Sequence, residues 1–315
     1  MDIKKVLKII LPLILGGFLV WYSLSKVSIE TLFQYFKDAN YWWIALGLFF
    51  GILSHLSRAY RWKFLLEPMG YKPDFGNSTM AVLVAYLVNY AVPRAGEVSR
   101  AAVMTNYEDI PFEKGFGTIV AERIADMIMM LSIITITLFV QFDFIYELLT
   151  KNFNPTKIAL ILGVVVFGFY FLSIYVKKAK SGIGLKIKNF VGGLVEGATS
   201  IFKMKHKWAF IFHTVFIWLM YVMMFWATIP TIEGLNVPFG GVLIGFIAGG
   251  FSIAATNGGI GLYPVAVAGA LALFNIAEEP ATAFGWIMWT AQTAMIIVFG
   301  GLAFLLLPIY NKNKK

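Results

Sequence analysis

The feature of this sequence that most restricts its fold is a hydrophobic segment that charged residues break at its centre. Residues 80–104 are apolar on both sides of the run Val92-Pro93-Arg94-Ala95-Gly96-Glu97-Val98-Ser99-Arg100. Neither half can cross a bilayer alone, because a spanning helix needs about 20 residues. A charge at mid-membrane costs about 3 kcal/mol on insertion scales, and broken backbone must not face lipid. We therefore expect this segment to lie inside a membrane protein, enclosed by protein or by a water-filled cavity.

The composition agrees with a polytopic membrane protein. Hydrophobic residues make up 59% of the 315 residues and charged residues 14%, whereas soluble domains carry about 25% charged residues. We predict an all-α protein in which residues 1–315 form a single transmembrane domain. The absence of cysteine excludes disulfides and thiolate zinc sites, and His55, His206 and His213 lack metal-ligand spacing. No metal and no cofactor are expected.

Most of the other apolar segments are long enough to span a bilayer. We predict about six spanning helices, at residues 6–24, 41–66, 117–140, 158–176, 208–229 and 281–307. A second broken segment covers residues 242–274 and is interrupted at Thr256-Asn257-Gly258-Gly259-Ile260-Gly261.

The distribution of lysine and arginine orients the chain. Two lie at the N-terminus, four in residues 58–72, eight in residues 177–207 and three in the C-terminal tail, against four in the opposite loops. The positive-inside rule therefore predicts a multi-pass protein of the cell inner membrane with both termini cytoplasmic. Membrane orientation and anionic headgroups explain the net charge of +9 better than nucleic acid does.

Two arginines lie within the predicted span at 41–66. Ser54, Arg58 and Arg61 share one helix face because they are spaced by four and three residues. The simplest interpretation is that both arginines extend along the helix to the cytoplasmic interface.

This orientation requires each broken segment to begin and end on the same side of the membrane. Two arrangements satisfy it: re-entrant hairpins, or pairs of short spans that would raise the total to eight or more. The short half-lengths favour two opposed re-entrant hairpins. Each lies between two spans, in repeats at about 41–140 and 208–307, which is the inverted-repeat layout of secondary transporters with broken helices near the midplane.

The first break carries groups that suit an anion. A helix that restarts there presents free N–H groups and the positive end of its dipole. Arg94 and Arg100 add two guanidinium groups, whose planar forks suit phosphate. Glu97 lies three residues from each, so the alternative is a closed Arg–Glu–Arg network that only fixes the hairpin.

The second break is rich in glycine. Gly258, Gly259 and Gly261, next to Asn257, would let backbone N–H groups approach an anionic ligand closely. Glycines in membrane helices also serve helix packing, so this signal is weak by itself.

A charged group opens the span at 117–140. Glu122 and Asp126 are one turn apart, and Arg123 lies three residues before Asp126, so an ion pair within the helix is available. The alternative is a charged helix end at the headgroups.

These motifs together resemble the flippase-like transmembrane domain of lysylphosphatidylglycerol synthases, the multiple peptide resistance factors. They are Arg94-x-Gly96-Glu97-x-x-Arg100, Glu122-Arg123-x-x-Asp126 and Gly258-Gly259-x-Gly261, and the resemblance covers nearly the whole chain. It implies a stand-alone member whose motif residues bind a lipid headgroup. The family often carries glutamate three residues after the last glycine, where this chain has Pro264. That departure leaves the substrate's charge open.

We therefore expect an integral membrane lipid translocase that moves an anionic or zwitterionic phospholipid between leaflets, and not an enzyme. Movement would be passive or ion-coupled, because the sequence has no Walker motif. No catalytic residue is expected, and lipid aminoacylation is not expected from this chain alone. The substrate-binding candidates are Arg94, Gly96, Glu97, Arg100, Glu122, Arg123, Asp126, Asn257, Gly258, Gly259 and Gly261.

An alternative function stays open. It is an intramembrane transferase or accessory protein for a polyprenyl- or glycolipid, with Glu97 or Asp126 as a base. The expected partner is a phosphate-containing membrane lipid headgroup and not a nucleic acid. A homodimer and a separate lipid-modifying enzyme are further partners that the sequence leaves open.

Overall fold

The computed structural model describes residue 14 and residues 16–92, 94–152, 154–179, 181–188, 192, 201 and 204–312. These residues form helices and connecting turns with no strand among them, so the prediction of an all-α polytopic protein is confirmed. Of the predicted span at 6–24, residues 16–24 are described and helical. The helices named below are α1 (Ile29–Asp38), α2 (Tyr41–Leu66), α3 (Phe75–Ala91), α4 (Ala95–Glu108), α5 (Phe112–Val140), α6 (Phe142–Asn152), α7 (Pro155–Lys178), α8 (Lys207–Thr228), α9 (Phe239–Ala255), α10 (Leu262–Ala272) and α11 (Glu278–Tyr310).

Two compact units contain these helices, and their boundary falls inside α5. The first unit takes its residues from Met1–Glu122 and Trp208–Lys315. The second unit is Arg123–Lys207 and contains the rest of α5 with α6 and α7. Both broken segments belong to the first unit.

Three described helical segments are long and apolar enough to cross a membrane by themselves: Phe112–Val140, Lys207–Thr231 and Glu278–Tyr310. A further pair, Ile29–Asp38 and Tyr41–Met69, reaches that length together and is bent by 83° at the break between them. Asn40 begins the second helix of this pair, because its side chain accepts a hydrogen bond from the Trp42 N–H. These helices make the chain a multi-pass membrane protein.

The first broken segment is a hairpin of α3 and α4 whose two ends lie together. The backbone N–H of Asp74, the residue before α3, donates a hydrogen bond of 3.1 Å to Oε2 of Glu108, the last residue of α4. The end of α11 joins them, since Tyr310 Oη donates to Asp74 Oδ1 at 3.0 Å. Asn77 and Asn311 exchange two amide hydrogen bonds, of 2.7 and 2.9 Å, at the same place. The hairpin therefore opens where α11 ends.

The second broken segment, α9 and α10, forms the other hairpin. Gly241 near the start of α9 faces Phe274, which follows α10, and a Cβ on that glycine would lie 3.3 Å from the Phe274 ring. Glu278 begins α11 four residues later, so this hairpin opens where α11 starts. Lys26 forms an ion pair of 3.2 Å with Glu278 at this end, which raises the pKa of Lys26.

The tips of the two hairpins meet halfway along α11. Tyr90 in the last turn of α3 forms a hydrogen bond of 3.2 Å with Thr293 of α11. Gly258, in the break between α9 and α10, lies against the Tyr90 ring, and its carbonyl oxygen accepts a hydrogen bond from Trp289. A helix of 17 residues, the length of both α3 and α9, is about 25 Å long. Each hairpin thus extends along about half of α11, which has 33 residues.

One apolar cluster of the first unit lies between the second hairpin and its neighbours. The rings of Phe225 on α8 and Phe284 on α11 meet edge to face at 5.3 Å, and both are buried. Val267 and Leu271 of α10 are part of the same buried cluster. This packing holds α10 against α11, so the position of the second break follows from the core.

The order of helices repeats within the chain. A long helix, a single 3-10 turn, a hairpin and a second long helix follow one another in α2 to α5 and again in α8 to α11. The two predicted repeats and their opposite orientation in the membrane stay predictions.

Candidate anion site in the first unit

Two arginines on α2 lie inside the protein. The exposed fraction of the residue is 3% for Arg58 and 0% for Arg61. The interpretation that these side chains extend to the cytoplasmic interface is therefore wrong. The helix continues past Arg61 through Trp62, Phe64 and Leu66, all buried, so neighbouring helices cover the arginine face as well.

Glu122 on α5 forms ion pairs with two buried arginines. Arg100 of α4 forms a short charge-assisted hydrogen bond to Glu122 Oε2, and its second nitrogen lies 3.4 Å from Oε1. Arg61 Nη2 lies 3.7 Å from the same Oε1. The carboxylate is only 1% exposed, so three helices, α2, α4 and α5, meet around one buried acid.

Each guanidinium is also held by an aromatic ring. Arg100 lies over Trp62, with 3.7 Å between its Cζ and the ring centroid, and Arg61 lies 5.2 Å from the centroid of Phe210. Such cation–π contacts are strongest where water is excluded. The ring of Trp62 is itself oriented, because its Nε1 donates to Thr118 Oγ1 at 2.7 Å.

Thr214 on α8 completes the arrangement around Arg61. Its hydroxyl accepts a hydrogen bond of 2.8 Å from Arg61 Nη1 and donates to the Phe210 carbonyl oxygen at 2.7 Å. Arg61 thereby bridges an acid from the first repeat and a hydroxyl from the second. Sequence reasoning did not select Thr214, Trp62 or Phe210, and no spacing in the sequence marks them.

The charge of this cluster favours an anion. Among the described residues of the first unit, the fully buried charged side chains are Arg58, Arg61, Arg100 and Glu122. Arg58 acts electrostatically on Glu122 together with the other two arginines. Glu97, one turn before Arg100 on α4, is half-buried. Three arginines thus surround one fully buried carboxylate, and their planar donors match a phosphate group.

The two arginines predicted to bind at the first break differ in their exposure. Arg94 is exposed and precedes α4 with a φ of +61°, whereas Arg100 is buried at Glu122. Gly96 has a packing role between them: a Cβ there would collide with the Ala85 carbonyl oxygen, and its N–H donates to Asn89 Oδ1 at 2.8 Å. Pro93 lies outside the described residues.

The three glycines of the second break adopt positive φ, between +65° and +83°. A Cβ on Gly258 would meet Tyr90, one on Gly259 would lie 3.1 Å from Tyr263 Cβ, and one on Gly261 would lie 2.7 Å from the Val20 nitrogen. Protein atoms therefore occupy the space beside each glycine, as helix packing requires. Asn257 in the same turn is half-buried.

The remaining predicted residues belong to the second unit. Arg123 Nη1 lies 3.6 Å from Asp126 Oδ2, so the ion pair predicted within this helix is present. Arg123 is 46% exposed at its side chain, and Asp126 is buried. Among the described residues, no group of three or more histidine and carboxylate side chains could hold a metal ion.

Comparison with known proteins finds a family profile that covers most of the chain. The family profile described as "Lysylphosphatidylglycerol synthase TM region" matches residues 9–301. The UPF0104 membrane protein MJ1595 of Methanocaldococcus jannaschii is 26% identical over 125 residues, which are 39% of this chain and 37% of that protein. The glycosyltransferase AglD of Haloferax volcanii is 29% identical over 92 residues, 29% of this chain and 15% of AglD.

The matched region thus spans about a third of MJ1595 and about a seventh of AglD. No solved structure matches the chain.

Proposed function

Because this chain belongs to the family of the lysylphosphatidylglycerol synthase transmembrane region, we propose that it is a lipid translocase that moves an anionic or zwitterionic phospholipid between leaflets. The observation that carries this proposal is the buried cluster of Arg58, Arg61, Arg100 and Glu122. Buried charges inside membrane segments are costly and commonly mark a substrate pathway.

In this proposal the phosphate of the lipid shares the arginines with Glu122. Without lipid, the carboxylate neutralises Arg100 and Arg61 and keeps them ordered. The two non-bridging oxygens of a phosphodiester can accept bidentate hydrogen bonds from the same guanidinium groups as the carboxylate does, so the phosphate can share these contacts. A phosphate that shares the three arginines with Glu122 leaves neither the arginines nor the carboxylate without a partner of opposite charge.

The hairpins supply the route in this proposal. Their tips meet halfway along α11 at Tyr90 and Gly258, and the arginine cluster includes α4, the second helix of the first hairpin. Movement of one tip relative to the other would open the path on one side of the membrane at a time, as in transporters with broken helices. We place the protein in the cytoplasmic membrane with both termini cytoplasmic, on the basis of its lysine and arginine distribution.

A second candidate is an accessory or transferase role on a polyprenyl- or glycolipid. The similarity to AglD, which is named a glycosyltransferase, favours it, although the match covers only 15% of that protein. Both candidates require a lipid phosphate at the arginines. They differ in whether the lipid leaves the protein chemically changed.

Reconstitution in liposomes tests the proposal. The purified chain should speed the exchange of a fluorescent phospholipid between leaflets, and mass spectrometry should show the lipid unchanged. Arg61→Lys and Arg100→Lys should each slow exchange at least tenfold, because lysine keeps the charge and loses the fork. The control is Lys114→Arg, which alters an exposed cation on α5 and should leave the rate unchanged.

Two results would overturn the proposal. One is exchange no faster than in empty liposomes for every phospholipid tried. The other is exchange that stays normal in both lysine variants. A chemically altered lipid would favour the second candidate.

A further inference from the structure

A second group of polar side chains lies on helices α2, α3 and α8. We call His55, Tyr86, Trp218 and Tyr221 the polar aromatic cluster. The imidazole of His55 is 4.5 Å from the Tyr86 ring and 6.3 Å from the Tyr221 ring, measured between centroids. Trp218 meets Tyr221 edge to face at 6.1 Å, and the hydroxyls of Tyr86 and Tyr221 are 3.1 Å apart.

Two nitrogen atoms of this cluster are buried without a hydrogen-bond partner among the described residues. They are Nδ1 of His55 and Nε1 of Trp218, in residues that are 5% and 9% exposed. A buried polar group without a partner is costly, so native proteins supply one from the protein, water or a ligand. An indole nitrogen only donates, so Trp218 requires an acceptor.

The cluster adjoins the arginine site. His55 and Arg58 are one turn apart on α2 and therefore lie on the same side of the helix. A group attached to a phosphate bound at the arginines would reach the next turn of this helix. The arginine site presents guanidinium groups, and the adjoining polar aromatic cluster presents neutral hydrogen-bond donors and aromatic faces.

We propose that the polar aromatic cluster binds the hydroxyl-bearing part of a lipid headgroup, a glycerol, an inositol or a sugar, whose phosphate lies at the arginines. This inference rests on the proposed function and narrows it to anionic lipids with a polyol headgroup. Ring hydroxyls and unpartnered nitrogens suit alcohol groups, and aromatic faces suit the C–H faces of a polyol.

An ammonium headgroup fits this place less well. None of the four side chains of the cluster is a carboxylate, and the nearby Arg58 carries the same charge as choline or ethanolamine. The aromatic rings alone could attract a quaternary ammonium ion. Repulsion between two cations in a site of low dielectric opposes that attraction.

Binding to the full chain in detergent tests the inference separately from transport. Isothermal titration with dihexanoyl phosphatidylglycerol or phosphatidylinositol should show about tenfold tighter binding than with dihexanoyl phosphatidylcholine or phosphatidylethanolamine. Inorganic phosphate serves as the probe without a headgroup. Competition by a polyprenyl phosphate that carries one sugar would identify the polyol as a sugar on a different lipid.

The decisive variant is Trp218→Phe, which removes one N–H and keeps an aromatic ring. Phosphatidylglycerol binding should weaken about fivefold, the effect of one neutral hydrogen bond, while binding of inorganic phosphate stays the same. The melting temperature should fall only by the amount that the smaller ring explains, because the lost donor has no partner among the described residues. Trp226→Phe, on the same helix and exposed, is the matched control.

Equal affinity for the glycerol and choline lipids would overturn the inference, and so would equal weakening of lipid and inorganic phosphate in Trp218→Phe. Unchanged lipid binding in that variant would mean that the donors bind only buried water. Selective binding together with no leaflet exchange would overturn the proposed function and leave this site in place. Exchange of all phospholipids at one rate, with no selective binding, would overturn this inference and leave the proposed function in place.

Discussion

The indole nitrogen of Trp289 donates a hydrogen bond of 2.8 Å to the carbonyl oxygen of Gly258, so α11 holds the tip of the second hairpin at mid-length. The break between α9 and α10 leaves backbone groups without helical partners, and such groups cannot face lipid. Here a side chain of the last helix provides one of the missing partners. The ring of Tyr90 from the first hairpin covers the same glycine.

Substitution of Gly258 tests whether the hairpin tips depend on this close approach. Gly258→Ala should lower the free energy of unfolding by about 1–3 kcal/mol, because the residue has a φ of +65° and its Cβ would collide with Tyr90. Gly301→Ala on α11 is the control, since a Cβ there meets open space and helical alanine is favoured over glycine by about 1 kcal/mol. Thermal melting in detergent measures both. Equal melting temperatures for the two variants would contradict the contact between the tips.

Removal of the buried acid tests whether the arginines need it for folding. Glu122→Gln should reduce stability by about 3–5 kcal/mol, because Arg100 and Arg61 lose the charge that neutralises them. Replacing Arg100 and Glu122 together with methionine should recover part of this loss in a melting experiment.

Lipid exchange separates a purely structural role from a binding role at this pair. We expect the double methionine variant to melt at a higher temperature than Glu122→Gln. It should still exchange lipid slowly, because it lacks Arg100, one of the side chains proposed to bind the lipid phosphate. Recovery of both stability and exchange would show that the pair only stabilises the fold.

The paired amides at the open end of the first hairpin give a third prediction. Asn77→Ala and Asn311→Ala should each cost about 1–3 kcal/mol, because each leaves the side-chain oxygen of the other buried amide without its donor. The double variant should cost less than the sum of the two. A double-mutant cycle on melting free energies measures this coupling, and strict additivity would argue against the contact.

The opposed hairpins predict opposite accessibility for two exposed loop positions. A cysteine at Lys72, before the first hairpin, and one at Asn236, before the second, should react with impermeant reagents from different sides of the membrane. The chain has no cysteine of its own, so no background labelling is expected. Lys72 should be the cytoplasmic position. Labelling of both from one side would refute the opposed hairpins and the inverted repeat with them.

The sequence alone was sufficient to predict the positions of the two broken segments. Proline, glycine and charged residues interrupt the apolar pattern at the first place, and polar residues and glycines interrupt it at the second. The helices end at Ala91 and Ala255 and restart at Ala95 and Leu262. Local backbone chemistry determines such breaks, so no knowledge of tertiary packing is needed.

The tertiary contacts of the charged side chains could not be predicted from the sequence. Spacing placed Arg58 and Arg61 on one helix face, but only the tertiary structure shows that other helices cover that face. Arg94 and Arg100 differ for a related reason: Arg94 precedes α4 in a left-handed backbone conformation and is exposed, whereas Arg100 lies on the buried face of that helix. No spacing in the sequence indicates a partner for Glu122, and only the fold selects Arg100.

The sequence separation of the hairpin contacts has a consequence for biosynthesis. Tyr90 bonds to a residue 203 positions later, and Asn77 to one 234 positions later. At about 5–20 residues per second, the ribosome needs roughly 10–50 s to make the helix that both require. The first hairpin is therefore synthesised long before the helix that it contacts exists. Its contacts with α11 can form only after that last helix has been made, so they are among the last contacts to form in the assembly of the protein.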